Sequence, residues 1–179
     1  MASEEKQLSS KIIYEGRVIK LRRDEVEIVE NGVKTTREVA MHPGGCCCLV
    51  KTEDDKFLFV RQYRYPYNEF TIEVPAGKRD NGEDPLDTIT RELQEEVGIK
   101  PKRLDFLGRV YPSPGFMNEV LYLYYTDDYE KSSLEQDFDE SLDVLKLSID
   151  EALAYIDEGK IVDAKTIIVL LKYCLKIKK

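Results

Sequence analysis

The chain has 179 residues, 42% of them hydrophobic and 35% charged, enough for one domain with a proper core and short for two. Acids outnumber bases 35 to 27, giving a formal net charge of −8, which argues against binding nucleic acid through the overall field. There is one histidine, His42, and no tryptophan. A His-rich zinc site is therefore excluded, and any Ser-His-Asp triad would have to use that residue.

In chain order, residues 1–10 are polar and read as a loose terminus. Ile12 to Met41 reads as strands, with Val26 and Ile28 facing Val33 and Val39 across Asn31-Gly32, a two-residue hairpin signal. His42-Pro43-Gly44-Gly45 breaks the pattern. Cys46 to Val50 and Phe57 to Tyr63 read as buried strands around the turn Glu53-Asp54-Asp55-Lys56, and Phe70 to Val74 as a strand ended by Pro75. The clearest helix follows. Asp84 is its N-cap, Pro85 its first residue and Gly98 the residue past its end. Leu86, Ile89, Leu93 and Val97 form its apolar stripe. Leu104 to Tyr111 and Val120 to Tyr125 read as strands, the acidic stretch Asp127 to Ser141 as a loop, and Leu142 to Leu147 as a further strand. Ser148 and Glu151 have capping-box spacing for a helix to about Asp157, and a last helix runs from about Asp163 to Cys174. This order predicts an α+β fold, a mixed β-sheet flanked by helices with an N-terminal antiparallel strand meander.

The N-terminus has no apolar signal region, and the apolar run Ile167 to Leu171 is too short to span a bilayer. Three adjacent cysteines, Cys46, Cys47 and Cys48, fit neither a disulfide framework nor a metal-ligand spacing, and read as small apolar side chains in a strand. A reducing, cytoplasmic setting follows.

The excess of carboxylates is either a solubility device or a site for a hard cation. On the central helix, Glu92 and Glu96 are one turn apart on one flank of the Leu93 stripe, while Glu95 faces outward and can pair with Arg91. Oxygen-only ligands favour Mg²⁺ or Mn²⁺ over zinc. A solvated acidic helix face is the ordinary use of such a pair, but this one does not stand alone. Gly77 is followed by five residues and Glu83, then seven residues lead to Arg91-Glu92-Leu93-x-Glu95-Glu96-x-Gly98-Ile99.

That run resembles the box of the Nudix hydrolases, and the resemblance implies an α/β/α sandwich that cleaves a diphosphate linked to another moiety with divalent metal. It implies Glu92 and Glu96 as direct metal ligands, Glu95 as a direct or water-mediated one, the Ala76 carbonyl in the metal shell, and Arg91 as the residue that orients the glutamates. Further segments resemble the ADP-ribose pyrophosphatase branch. Pro114 lies sixteen residues after Gly98, in Ser113-Pro114-Gly115-Phe116. Arg37-Glu38-Val39, Gln62-Tyr63-Arg64, Glu73-Val74-Pro75-Ala76-Gly77-Lys78 and Asp163-Ala164-Lys165-Thr166 also match. The likeness covers nearly the whole chain past residue 10.

The resemblance implies Mg²⁺- or Mn²⁺-dependent hydrolysis of ADP-ribose to AMP and ribose 5-phosphate. It places the catalytic base on the acidic loop, at Glu140, with Asp139 and Glu119 as rivals. Arg37, Arg61 and Arg64 are candidates for substrate phosphates or ribose, since arginine pairs bidentately with phosphate, and surface salt bridging is their ordinary use. Pro114, Gly115, Phe116 and Glu119 complete the substrate set. Residues 1–41 are expected to form a strand region that builds a homodimer and contributes to substrate sites, and residues 42–179 the hydrolase domain. The alternatives are a Nudix hydrolase for other nucleoside diphosphate sugars or dinucleotides, and a non-catalytic nucleotide-binding module of the same fold. No nucleic acid or membrane partner is expected.

Overall fold

The computed structural model describes residues 2–80, 82–135 and 141–176. The chain packs as two compact units, residues 1–44 with 111–120, and residues 45–110 with 121–179.

The first unit holds a three-stranded antiparallel sheet in the order β1-β2-β3, from β1 (Glu5–Glu15), β2 (Lys20–Ile28) and β3 (Lys34–Met41). The expected loose terminus is thus a strand, paired with β2 from Glu5↔Ile28 to Glu15↔Lys20. Every residue of β1 is exposed, so no burial period marks it in the sequence. The hairpin between β2 and β3 forms, but with a longer loop than the sequence signal predicts. Ile28 N donates to Val33 O at 2.9 Å, and Gly32 takes a positive φ of 69°. Asn31 Oδ1 accepts from Val33 N at 3.0 Å, so Asn31 caps the turn with its side chain. The segment 111–120 packs with these strands: Ala40 N donates to Phe116 O at 2.8 Å, and Ala40 bridges Met117.

The second unit is built on a mixed seven-stranded sheet. Its main path runs β12 (Leu142–Leu147), β5 (Phe57–Arg64), β4 (Gly45–Lys51), β10 (Leu121–Thr126) and β9 (Asp105–Val110), with β6 (Glu69–Glu73) on β5 and β7 (Ala76–Lys78) on β4. Among the described residues of this sheet, only β10 and β4 pair in parallel. One face carries α1 (Pro85–Glu96), the other α2 (Ile149–Asp157) and α3 (Ala164–Lys176). Because side chains alternate across a strand, β4 sends Cys46, Cys48 and Val50 toward Ile89 and Leu93 of α1, and Cys47 and Leu49 toward Ala152, Val169 and Leu170. All five β4 residues are fully buried, which explains an apolar run with no alternation. This is the α/β/α sandwich that the sequence implied.

The helix caps follow the sequence closely. Asp84 accepts from Leu86 N at 2.8 Å, and Gly98 turns the chain with a φ of 69°. Ser148 and Glu151 make the reciprocal capping box. Leu86 departs from the expected stripe: it is exposed, and Thr88 is buried beside Ile89 and Leu93 instead. The acidic stretch after Asp127 is not wholly loop, since β11 (Tyr129–Lys131) pairs with β8 (Ile99–Pro101). Strands of three residues carry too few side chains to show a period.

Candidate active site

The second unit gathers the carboxylate run around one arginine. Arg91 Nε stands 3.3 Å from Glu83 Oε1, and its Nη1 stands 2.9 Å from both Glu92 Oε1 and Glu95 Oε2. Its Nη2 also donates to the Lys78 carbonyl at 3.3 Å. Arg91 therefore ties the loop after β7 to the outer and inner glutamates of α1. Glu83 is held from its own loop as well: Thr88 Oγ1 donates to it at 2.8 Å and Asp80 N at 3.1 Å. The five- and seven-residue spacings thus have a physical meaning. They bring Glu83 back onto the first turns of the helix, where Arg91 meets it.

The electrostatics agree with this geometry. Partial burial works to raise the Glu83 pKa, but hydrogen bonds from Arg91, the Asp80 amide and Thr88 bring it down to about 2. Burial works against the Arg91 charge, and Glu83, Glu92 and Glu95 together raise its pKa above the usual arginine value.

Glu92 and Glu96 lie on the inner flank of α1, 7% and 3% exposed. Ala76 N donates to Glu96 Oε2 at 2.9 Å, so the residue that opens β7 orients the second carboxylate. A Cβ on Gly77 would sit 1.8 Å from the Glu92 carboxyl carbon, and glycine alone leaves that space to the carboxylate.

Among the described residues, no three or more His, Cys, Asp or Glu side chains form a ready-made metal cluster. Mg²⁺ does not require one. It is commonly held by one or two carboxylates, with waters and substrate phosphates filling its other positions. Two buried carboxylates beside a close backbone approach fit that demand, and the donors are all oxygen.

Against the start of α3, Arg64 at the end of β5 forms a bidentate pair with Glu73, its Nε and Nη2 each 2.6 Å from a carboxylate oxygen. Arg61 lies with its guanidinium 4.1 Å from the Phe70 ring centre and 3.6 Å from Asp143. Arg64, Glu73, Thr71, Tyr67, Asp163 and Lys165 line a cavity of about 530 Å³. Sequence reasoning did not single out Glu73 or Lys165 as site residues. They are 92 positions apart, and only the matched segments around each pointed to them.

The remaining described candidates fall in the first unit. Arg37 pairs with Glu5 across the sheet. Glu119 Oε1 stands 3.2 Å from His42 Nδ1, and His42 N donates to Asn118 Oδ1 at 2.8 Å. Pro114, Gly115 and Phe116 lie on the turn where Met117 N donates to Ser113 O at 3.0 Å, with Phe116 largely exposed. Glu140 and its rival Asp139 lie outside the described residues.

With this fold and this site in place, the comparisons are unambiguous: residues 41–167 match the NUDIX domain family, and the chain belongs to the Nudix hydrolases. Hydrolases of this family depend in general on a divalent metal. A Bacillus methanolicus protein named methanol dehydrogenase activator is 41% identical over 92% of this chain and 90% of its own length. The ADP-ribose pyrophosphatase of Bacillus subtilis (strain 168) is 35% identical over 91% of this chain and 89% of its own length. The crystal structure of an ADP compounds hydrolase superposes with a TM-score of 0.86 over 99% of this chain and 96% of that one, at 20% identity, and shows the shared fold. No helix among the described residues is long and apolar enough to cross a membrane.

Proposed function

We propose that the chain hydrolyses the diphosphate of ADP-ribose to AMP and ribose 5-phosphate, with Mg²⁺ or Mn²⁺ held by Glu92 and Glu96. The observation that carries this reading is the buried pair Glu92 and Glu96, set against Gly77 and ordered by Ala76 N. The 35% identical ADP-ribose pyrophosphatase supports the choice of substrate.

A bound divalent ion would neutralise the anionic diphosphate and make a water acidic enough to attack phosphorus. The chain's own residues do the rest. Arg91 keeps Glu95 and Glu83 from drifting and holds Glu92 in register. The Ala76 amide orients the Glu96 carboxylate, and the Ala76 carbonyl would join Glu92 and Glu96 in holding the cation. Arg64 and Arg61 meet phosphate oxygens. Arg37, Pro114, Gly115, Phe116 and Glu119 contact substrate by family resemblance. Glu140 takes the proton of the attacking water, a role for which Asp139 and Glu119 are the rivals.

The residues 1–41 strand region, with an exposed edge in β1, supports a homodimer. A cytoplasmic setting is supported by the four free cysteines.

The test is a panel of nucleoside diphosphate compounds, incubated with and without Mg²⁺ or Mn²⁺. The reading expects AMP and ribose 5-phosphate from ADP-ribose, with cleavage abolished by chelation. Cleavage of other nucleoside diphosphate sugars or dinucleotides in preference to ADP-ribose would overturn the substrate choice.

A second reading rests on the 41% identical relative named as an activator of methanol dehydrogenase. On that reading the chain raises the turnover of an alcohol-oxidising dehydrogenase. Adding wild-type and Glu96→Gln chains to such a dehydrogenase separates the two: activation by wild type but not the variant ties it to the hydrolytic site, and no activation by either removes the reading.

A further inference from the structure

The carboxylate of Glu73 is 2% exposed and takes no part in the proposed chemistry, yet four donors converge on it. Oε1 accepts from Arg64 Nε and from Thr71 Oγ1, each at 2.6 Å. Oε2 accepts from Arg64 Nη2 at 2.6 Å and from Lys165 Nζ. A carboxylate offers about four lone-pair sites, so this one is saturated. Burial would raise its pKa, but Arg64 and Lys165 bring it down to about 2.

Lys165 is itself firmly placed. It stands on the first turn of α3, with its side chain 12% exposed, and its Nζ is 3.1 Å from Asp163 Oδ1. The other Asp163 oxygen accepts from Thr166 N at 2.9 Å and Thr166 Oγ1 at 2.6 Å. Thr166 Oγ1 in turn accepts from Val74 N at 2.9 Å, one residue after Glu73. The start of α3 and the end of β6 are therefore pinned together, and the ammonium has little freedom to leave.

The consequence falls on Arg64. Two of its N–H groups are spent on Glu73, and Nη1 makes no hydrogen bond among the described residues. The side chain is 38% exposed and lines the cavity of about 530 Å³. An arginine paired one-to-one with a buried carboxylate presents a nearly neutral unit to a ligand. A second cation on the same carboxylate restores the positive field at the arginine's free edge. The shared Asp163 offsets part of that gain, although it also serves the positive start of α3.

We propose that Lys165 is a positioning residue for substrate binding: by completing the shell of Glu73 it holds Arg64 in its fork and keeps the Nη1 edge positive toward the substrate diphosphate. This rests on the hydrolase reading above. Lys165 does not touch the phosphates; it acts through Glu73 and Arg64.

Steady-state kinetics on ADP-ribose with Mg²⁺ test it, alongside calorimetric binding of inorganic pyrophosphate and thermal unfolding. Lys165→Met is expected to raise KM about tenfold, the scale of one charge-assisted hydrogen bond, with kcat within about twofold. Pyrophosphate affinity should fall by the same factor, and Lys165→Arg should restore most of both. Where Lys165→Met does not fold, Lys165→Gln, which keeps a donor to Glu73 without the charge, gives the same comparison. Unchanged KM and pyrophosphate affinity in a folded variant would overturn the proposal, as would a loss confined to melting temperature or to kcat. A wild-type chain that binds pyrophosphate in a Lys165-dependent way but leaves ADP-ribose intact would instead contradict the substrate reading.

Discussion

Gly77 and Glu92 share one space: a single methyl on the glycine would overlap the carboxyl group of the glutamate, at 1.8 Å. The glycine of β7 and the first inner glutamate of the helix are fifteen residues apart and act as one steric unit. Gly77→Ala should therefore push the carboxylate off its position while the sandwich persists. A displacement near 1 Å costs about a hundredfold in rate where geometry is demanding. The expected outcome is a loss of that size in kcat/KM, with an unchanged circular dichroism spectrum. Near-wild-type activity would show that the Glu92 position does not matter to the reaction.

Glu73 makes a prediction in acid. Its pKa is lowered in the folded chain to about 2 from an ordinary 4.5. A depressed carboxylate gives stability that is complete above the unfolded value and is lost as pH falls toward the folded one. The window is thus about pH 4.5 down to about 2, and the contribution is of order 3 kcal/mol. Urea unfolding across this range should show a steeper fall for wild type than for Glu73→Gln. Parallel slopes would remove Glu73 from the acid response.

The three adjacent cysteines should be chemically silent. Burial pushes Cys46 and Cys47 up to about 12 and raises Cys48 well above its ordinary value. The thiolate is the reactive form. A thiol reagent at pH 8 should label Cys174 rapidly and the β4 cysteines only at the rate of unfolding, with all four counted in denaturant. Rapid labelling of more than one thiol in the native protein would contradict this burial.

The exposed face of β1 concerns assembly. Leu8, Ile12, Ile13 and Tyr14 are between 41% and 58% exposed, and β1 is an edge strand of its sheet. Such an edge is a ready template for pairing with another chain. On the homodimer reading, Ile13→Asp should shift sedimentation velocity from dimer toward monomer at micromolar concentration. A wild-type monomer, or a variant dimer of undiminished strength, would count against it.

Much of the fold was legible because burial writes a period. The α1 stripe at Ile89 and Leu93, the Asp84 cap and the Ser148-Glu151 box each rest on spacing within one element. The start of β1, before Ile12, was not legible, because a strand exposed on every residue has no burial period to read. Leu86 misled the stripe: it is exposed, and Thr88 takes the buried position beside Ile89 and Leu93. The inner glutamates were legible through the fixed spacing from Gly77, which reflects the contact of Arg91 with Glu83. The Glu73–Lys165 pair was not, because a contact across 92 positions leaves no local pattern.

The most direct test of the metal-dependent hydrolase account is the kcat of Glu96→Gln on ADP-ribose with saturating Mg²⁺. The substitution keeps the side-chain shape and an oxygen able to accept from Ala76 N, so the fold should persist while the anionic ligand is lost. Turnover should fall by about a hundredfold to a thousandfold, as expected where a group stabilising developing charge is removed. Near-normal turnover in that folded variant would contradict it.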